Sequence, residues 1–117
     1  MEETAEPRLA PAIFNPLRDS RRIAEAYHNR QVAAVNDHEL RMSVMTSGFA
    51  WHSHPESDET FLVIDGELVI EFRDREVVLA EGDLFTVPKG VVHRTRPKGP
   101  RSVNLTFEKR DARTVFL

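Results

Sequence analysis

Between Trp51 and Glu59 the chain reads WHSHPESDE, and those nine residues hold two of its five histidines, a proline and three carboxylates. Imidazole nitrogens and carboxylate oxygens are side-chain ligands of divalent metal ions. On a strand, side chains alternate between faces, so His52 and His54 share one side while Trp51 and Ser53 take the other. Their Cα atoms then stand roughly 6.7 Å apart at about 3.3 Å per residue. Both imidazoles can lean on one ion at metal–nitrogen distances of about 2.0–2.1 Å. Pro55 has no amide proton to give a ladder, so the strand ends there. Glu56, Ser57 and Asp58 make a connection, and Glu59 opens the next strand beside the pair. The sharper reading of the stretch is half of a metal site. The blander reading is a polar loop with two hydrogen-bonded histidines, and for His93, on an apolar strand, a satisfied core histidine.

The elements that must position these residues are short strands. From about residue 32 onward, apolar runs are cut by turn signals every six to ten residues. VAAV and ELRMSVM flank a turn at Asn36-Asp37, and Leu40, Met42 and Val44 alternate with Arg41 and Ser43, the period of a half-buried strand. ETFLVI and ELVIEF flank Asp65-Gly66, a two-residue hairpin signal of type I′. EVVLA, LFTV, VVHRT and SVNLTF follow, separated by turn signals at Gly82, at Pro88-Lys89-Gly90 and at Pro97-Lys98-Gly99-Pro100. Many short strands with almost no helix predict an antiparallel sandwich or small barrel. Residues 1–31 read as an N-terminal arm, with a short helix within Arg18–Arg30 suggested by Ile23, Ala26 and Tyr27, and residues 32–117 as the β-barrel domain. Ile13, Phe14 and Leu17 suggest that the arm packs on something.

Composition narrows the chemistry. The 117 residues carry a net charge of -3, with 40% hydrophobic and 30% charged residues, an ordinary balance for one globular domain. No basic field exists for nucleic acid or anionic lipid, and the cluster Arg94, Arg96, Lys98 and Arg101 reads as a solvated loop. With no cysteine, a metal must be held by nitrogen and oxygen. The acidic N-terminus has no signal-peptide pattern and no run is long enough to span a bilayer, so a soluble, cytoplasmic protein is expected.

Two segments, HSHPESDETFLVIDG from His52 to Gly66 and GDLFTVPKGVVH from Gly82 to His93, resemble the paired motifs of the cupin superfamily, G-x5-H-x-H-x3,4-E-x6-G and G-x5-P-x-G-x2-H-x3-N. Two positions depart from the pattern: the first glycine falls at Thr46, with Gly48 two residues later, and the closing asparagine falls at Pro97. The chain is also similar to small single-domain cupins described as mannose-6-phosphate isomerase-like. The resemblance covers about residues 32–107. It implies an all-β double-stranded β-helix, a six-stranded jelly-roll barrel, holding one divalent transition metal (Fe, Mn, Ni, Co, Cu or Zn) on His52, His54, Glu59 and His93.

Four such ligands leave two positions of an octahedron open, which suits a catalytic or ligand-binding ion rather than a closed structural one. The expected function is a small-molecule metalloenzyme, an oxidoreductase of dioxygenase type or an isomerase or epimerase, with Glu59 as a proton shuttle. The alternative is a non-catalytic module that senses a small ligand or metal. By strand parity Ala50, Phe61, Val63, Val91 and Thr95 share the ligand face, giving a mostly apolar pocket in which Phe61 and Thr95 are the candidates to touch a ligand. No general acid or base stands out beyond the ligand set, and His28 and His38 read as surface residues. Leu62 and Ile64 make ETFLVI apolar on its second face as well, which calls for cover by the arm or by a partner subunit; a homodimer is expected.

Overall fold

The structure, a computed structural model, describes residues 13–117. One helical turn, α1 (Pro16–Ser20), precedes eight strands: β1 (Tyr27–Val35), β2 (His38–Met45), β3 (Phe49–Ser53), β4 (Glu59–Glu71), β5 (Glu76–Leu79), β6 (Leu84–Val87), β7 (His93–Lys109) and β8 (Val115–Phe116). Two of them, β4 and β7, are long and run beside each other through the whole molecule. Their halves belong to different sheets. The C-terminal half of β7 and the N-terminal half of β4 lie between β2 and β6, with β1 outside β2. The other halves lie between β3 and β5, with β8 outside β3. The result is the antiparallel two-sheet barrel that the motifs imply, with eight strands where six are expected.

Asn36-Asp37 forms the expected turn: Val35 pairs with His38, and Asn36 adopts φ 56. Asp65-Gly66 does not form a hairpin. A type I′ turn needs positive φ at both central residues, and of this pair only Gly66 has it, at φ 75. The chain bends instead of reversing, and β4 continues past it. The register against β7 slips between Val63 and Asp65 and again between Gly66 and Glu67, so that Gly66 faces Ser102 while Glu67 faces Lys98. Pro97-Lys98-Gly99-Pro100 is likewise an irregularity inside β7, opposite that bend, and not a turn between two strands. Arg94 and Arg96 consequently sit on a strand, where both donate to Glu71, rather than in a solvated loop.

The helix begins and ends earlier than Arg18–Arg30. Asn15 caps it by accepting from the Arg18 amide at 2.9 Å, and Pro16 opens it. The spacing of Ile23, Ala26 and Tyr27 is overridden by sheet pairing, since Tyr27 faces Met45 and Asn29 faces Ser43 in β1–β2. That strand crosses the expected boundary between residues 31 and 32. The arm's residues 1–12 lie outside the described residues. Its following part covers the outer face of the first sheet: Phe14 and Ile23 pack with Ile64, Val32 and Phe107 on Met42, Val44, Val103 and Leu105. A second core fills the barrel, with Met45, Phe61, Val63, Leu68, Ile70, Phe72, Leu79 and Val87 buried. Among the described residues, no helix is long and apolar enough to cross a membrane.

Candidate metal centre

β3 carries His52 and delivers His54 just past its end, β4 opens on Glu59 and β7 opens on His93. His52 pairs with His93 across the β3–β7 ladder, so the two motifs meet in the sheet although 41 residues apart. All four side chains are buried, between 1% and 8% exposed, and each offers one ligand atom within 4.8 Å of the others. Glu59 Oε1 stands 3.3 Å from His54 Nε2 and 3.2 Å from His93 Nε2. Two ligands at right angles on one ion, each at about 2.1 Å, would stand about 3 Å apart. The donor set is therefore spaced to hold a divalent cation.

The main chain fixes how each ring is presented. His52 Nδ1 bonds the Ala50 carbonyl at 2.7 Å, His93 Nδ1 the Val91 carbonyl at 2.9 Å and His54 Nδ1 the Arg113 carbonyl at 3.1 Å. A carbonyl only accepts, so each Nδ1 carries a proton and Nε2 is left as the nitrogen that an ion would bind. The Arg113 carbonyl is itself held in place, because its own amide and guanidinium both bond Glu56 at 2.7 Å. On the opposite face of β3, Trp51 lies between the guanidinium groups of Arg73 and Arg94, each 4.6 Å from its ring.

Electrostatics in the metal-free cluster follow from burial and pairing. Burial pushes the His52 imidazole down to about 4, against the upward effect of the bond its Nδ1–H donates to the Ala50 carbonyl. For His54, burial acts downward too, but the hydrogen bond and charge of Glu59 more than offset it and raise His54 to about 9. Burial raises Glu59, and the His54 and His93 donors overcome that to hold it near 2. Each charge thus favours the other, an imidazolium at His54 and a carboxylate at Glu59.

His52, His54 and Glu59 of the cluster line a cavity of about 570 Å³. Phe61 and Thr95 line it as expected. Ala50 does not: a register irregularity between Phe49 and His52 breaks the alternation in β3, leaving Ala50 exposed and bringing Phe49 to the cavity instead. Val63 is buried core and Val91 packs half-buried against it. The pocket is also not mostly apolar. Asn29, Arg41, Ser43, Asn104, Thr106 and Glu108 all face it. In β2 the half-buried alternation is real but inverted, with Met42 and Val44 outward beneath the arm and Arg41 and Ser43 inward. A second alternation in SVNLTFE, in phase with the first, is the signal that sequence reasoning missed. Glu108 is likewise an ionisable group beyond the ligand set: burial, then the Glu59 charge, raises it to about 7. His38 is exposed as expected, whereas His28 is half-buried, and its Nε2 has no partner among the described residues.

Comparison with known proteins agrees with this geometry. The family described as "Cupin domain" matches residues 38–107. The uncharacterized protein YdbB of Bacillus subtilis (strain 168) is 44% identical over 104 residues, 88% of this chain and 91% of that protein. The crystal structure of a cupin-2 domain containing protein from Shewanella frigidimarina superposes with a TM-score of 0.77 at 30% identity, covering 84% of this chain and 95% of that one. The DMSP lyase DddQ of Ruegeria pomeroyi shares the fold, with a TM-score of 0.67 at 18% identity over 78% of this chain and 51% of that one. With both motifs, the two-sheet barrel and the family match over its central strands in agreement, this chain belongs to the cupin superfamily.

Proposed function

We propose that the protein is a metal-dependent enzyme acting on a small organic molecule, with His52, His54, Glu59 and His93 holding one divalent transition ion. The observation that carries this reading is the convergence of four buried nitrogen and oxygen donors, three of them lining a cavity large enough for a substrate. Bound there, such an ion supplies Lewis acidity or redox chemistry at coordination positions that the protein leaves open. The chain's own groups do the rest. Backbone carbonyls of Ala50, Val91 and Arg113 orient the three imidazoles, while Phe49 and Phe61 shield the site from bulk water. Glu59 serves the cluster and is the proposed proton shuttle; Glu108, buried beside Glu59 and raised to about 7, is a second group able to take or give a proton. That a neighbour in fold is a lyase supports catalysis as a use of this barrel.

The experiment is elemental analysis of protein purified without a chelating resin, followed by turnover assays. One transition-metal equivalent per chain, lost in His52→Ala protein that still melts cooperatively, is the expected result. Fe(II)-loaded protein is then assayed for oxygen uptake with diketones, phenols and thiols, and Mn(II)- or Zn(II)-loaded protein for isomerisation of hydroxy ketones. Stoichiometric metal with no turnover in any assay would favour the sensing module; no metal at all would overturn the reading.

A further inference from the structure

We propose that the inward face of β1, β2 and β7 is a recognition surface for a small, neutral, polyhydroxylated compound such as a monosaccharide or linear polyol. The compound would lie between that face and the His52–His54–Glu59–His93 cluster; only its metal-facing end rests on the function proposed above. Alternate residues of three neighbouring strands enter the cavity in register. Asn29, Ser43 and Asn104 make one rung and Gln31, Arg41 and Thr106 the next, and beyond them Glu39 faces Glu108. Interiors of small barrels are ordinarily packed with side chains that need no partners. Here Met42, Val44, Val103, Leu105 and Phe107 lie on the outside of the sheet, and apart from Met45 the residues that β2 and β7 send inward are amides, hydroxyls, carboxylates and Arg41.

A polar wall is costly unless something returns its hydrogen bonds. Glu108 is 9% exposed, and its Oε1 has no partner among the described residues. Asn104 is 1% exposed, and among the described residues its amide nitrogen reaches only Met45 Sδ, at 3.8 Å. Both side chains line the cavity, so both have capacity for a ligand.

The charges indicate its class. Two arginines line the cavity: Arg41 is already committed to Asn29 Oδ1 at 2.5 Å and Glu39 Oε1 at 3.3 Å, and the exposed Arg110 donates to the Asn36 carbonyl at 3.0 Å, with Asp111 lining the cavity next to it. An anionic ligand would meet spoken-for guanidinium groups beside carboxylates. Hydroxyl groups each donate and accept, which matches a wall mixing amide, hydroxyl and carboxylate groups. The rings of Tyr27, Phe49 and Phe61 offer flat apolar surface to the C–H faces of such a molecule. A cavity of about 570 Å³ falls within the range that accommodates small organic ligands.

The test titrates the full chain, its metal content measured first, with xylitol, D-xylose and D-glucose. Two comparison probes are cis-cyclohexane-1,2-diol, which keeps a vicinal pair for an ion but lacks further hydroxyls, and butylamine. Binding is read by calorimetry and saturation-transfer NMR. At least one polyol is expected to bind about tenfold or more tighter than the diol, since that is the scale of one or two hydrogen bonds in a closed site. Thr106→Val, which keeps the side chain's shape, and Asn104→Leu should remove that advantage while leaving diol binding and metal content unchanged. If Asn104→Leu does not fold, Thr106→Val and Gln31→Ala carry the test. The proposal is overturned if no polyol exceeds the diol, if butylamine is preferred, or if the folded variants bind polyol as the parent does. Polyol binding that depends on these rungs in protein free of metal would overturn the metal reading alone; metal without polyol preference would overturn this proposal alone.

Discussion

Each imidazole of the cluster has one nitrogen spent on a backbone carbonyl, so proton and metal compete for the other. His54 is where that competition is felt near neutrality, because its pairing with Glu59 raises it to about 9. Binding an ion must displace that proton at any lower pH. Apparent metal affinity should therefore rise about tenfold per pH unit between about pH 6 and 9 and level off above, one proton being released per ion. Stability of the metal-free protein moves the other way. A histidine raised in the folded state contributes fully below its unfolded value near 6.5, and that contribution is lost as pH climbs through about 9. The melting temperature of metal-free protein should fall over this interval while its gap to metal-loaded protein widens; a pH-independent affinity would show that His54 is not a ligand. His52, His54 and Glu59 were legible in the sequence because they lie within eight residues and strand alternation orients them. The carbonyl that orients His54 was not, since Arg113 is 59 residues away and acts through its main chain.

Among the elements, β4 shows where sequence signals and structure part. Asp-Gly promised a reversal, and the local conformational demand was real, but the long-range partner decided its use: β7 lies alongside both halves of β4, and the bend carries the strand from one sheet to the other. Gly66 is required there twice over. Its φ is +75, and a Cβ would stand 2.2 Å from the Arg101 carbonyl oxygen, an overlap only backbone movement could relieve. Gly82, at φ +86, has nothing within 4 Å and carries the conformational demand alone. Gly82→Ala should cost about 1–2 kcal/mol, whereas Gly66→Ala should cost about 3 kcal/mol or more once the overlap adds to the backbone strain. Urea unfolding of the two variants compares them directly, and equal midpoints would mean that the bend relaxes freely. Strand positions were otherwise readable from alternation and turn residues. Which face of β1, β2 and β7 turns inward was not, because alternation gives a period without saying which side the barrel closes on.

For the molecule as a whole, the open question is what covers the outer row of leucines. Leu84 of β6 pairs with Leu62 of β4, which pairs with Leu105 of β7, which pairs with Met42 of β2. At the β2 end this row is roofed by Phe14 and Ile23, so the arm supplies part of the cover expected for Ile64. At the β6 end it is not: Leu84 is 61% exposed and Leu62 is half-buried. A second copy offering the same row can cover the β6 ends of both chains at once in a two-fold arrangement, where each patch meets its own image. Sedimentation at micromolar concentration should then give the mass of two 13.4 kDa chains, and Leu84→Lys should give one. Since Leu84 lies outside the barrel and touches neither the cluster nor the cavity wall, the variant should bind metal as the parent does. A parent protein that sediments as a clean monomer removes the dimer, and a Leu84→Lys protein that remains dimeric moves the interface away from this row.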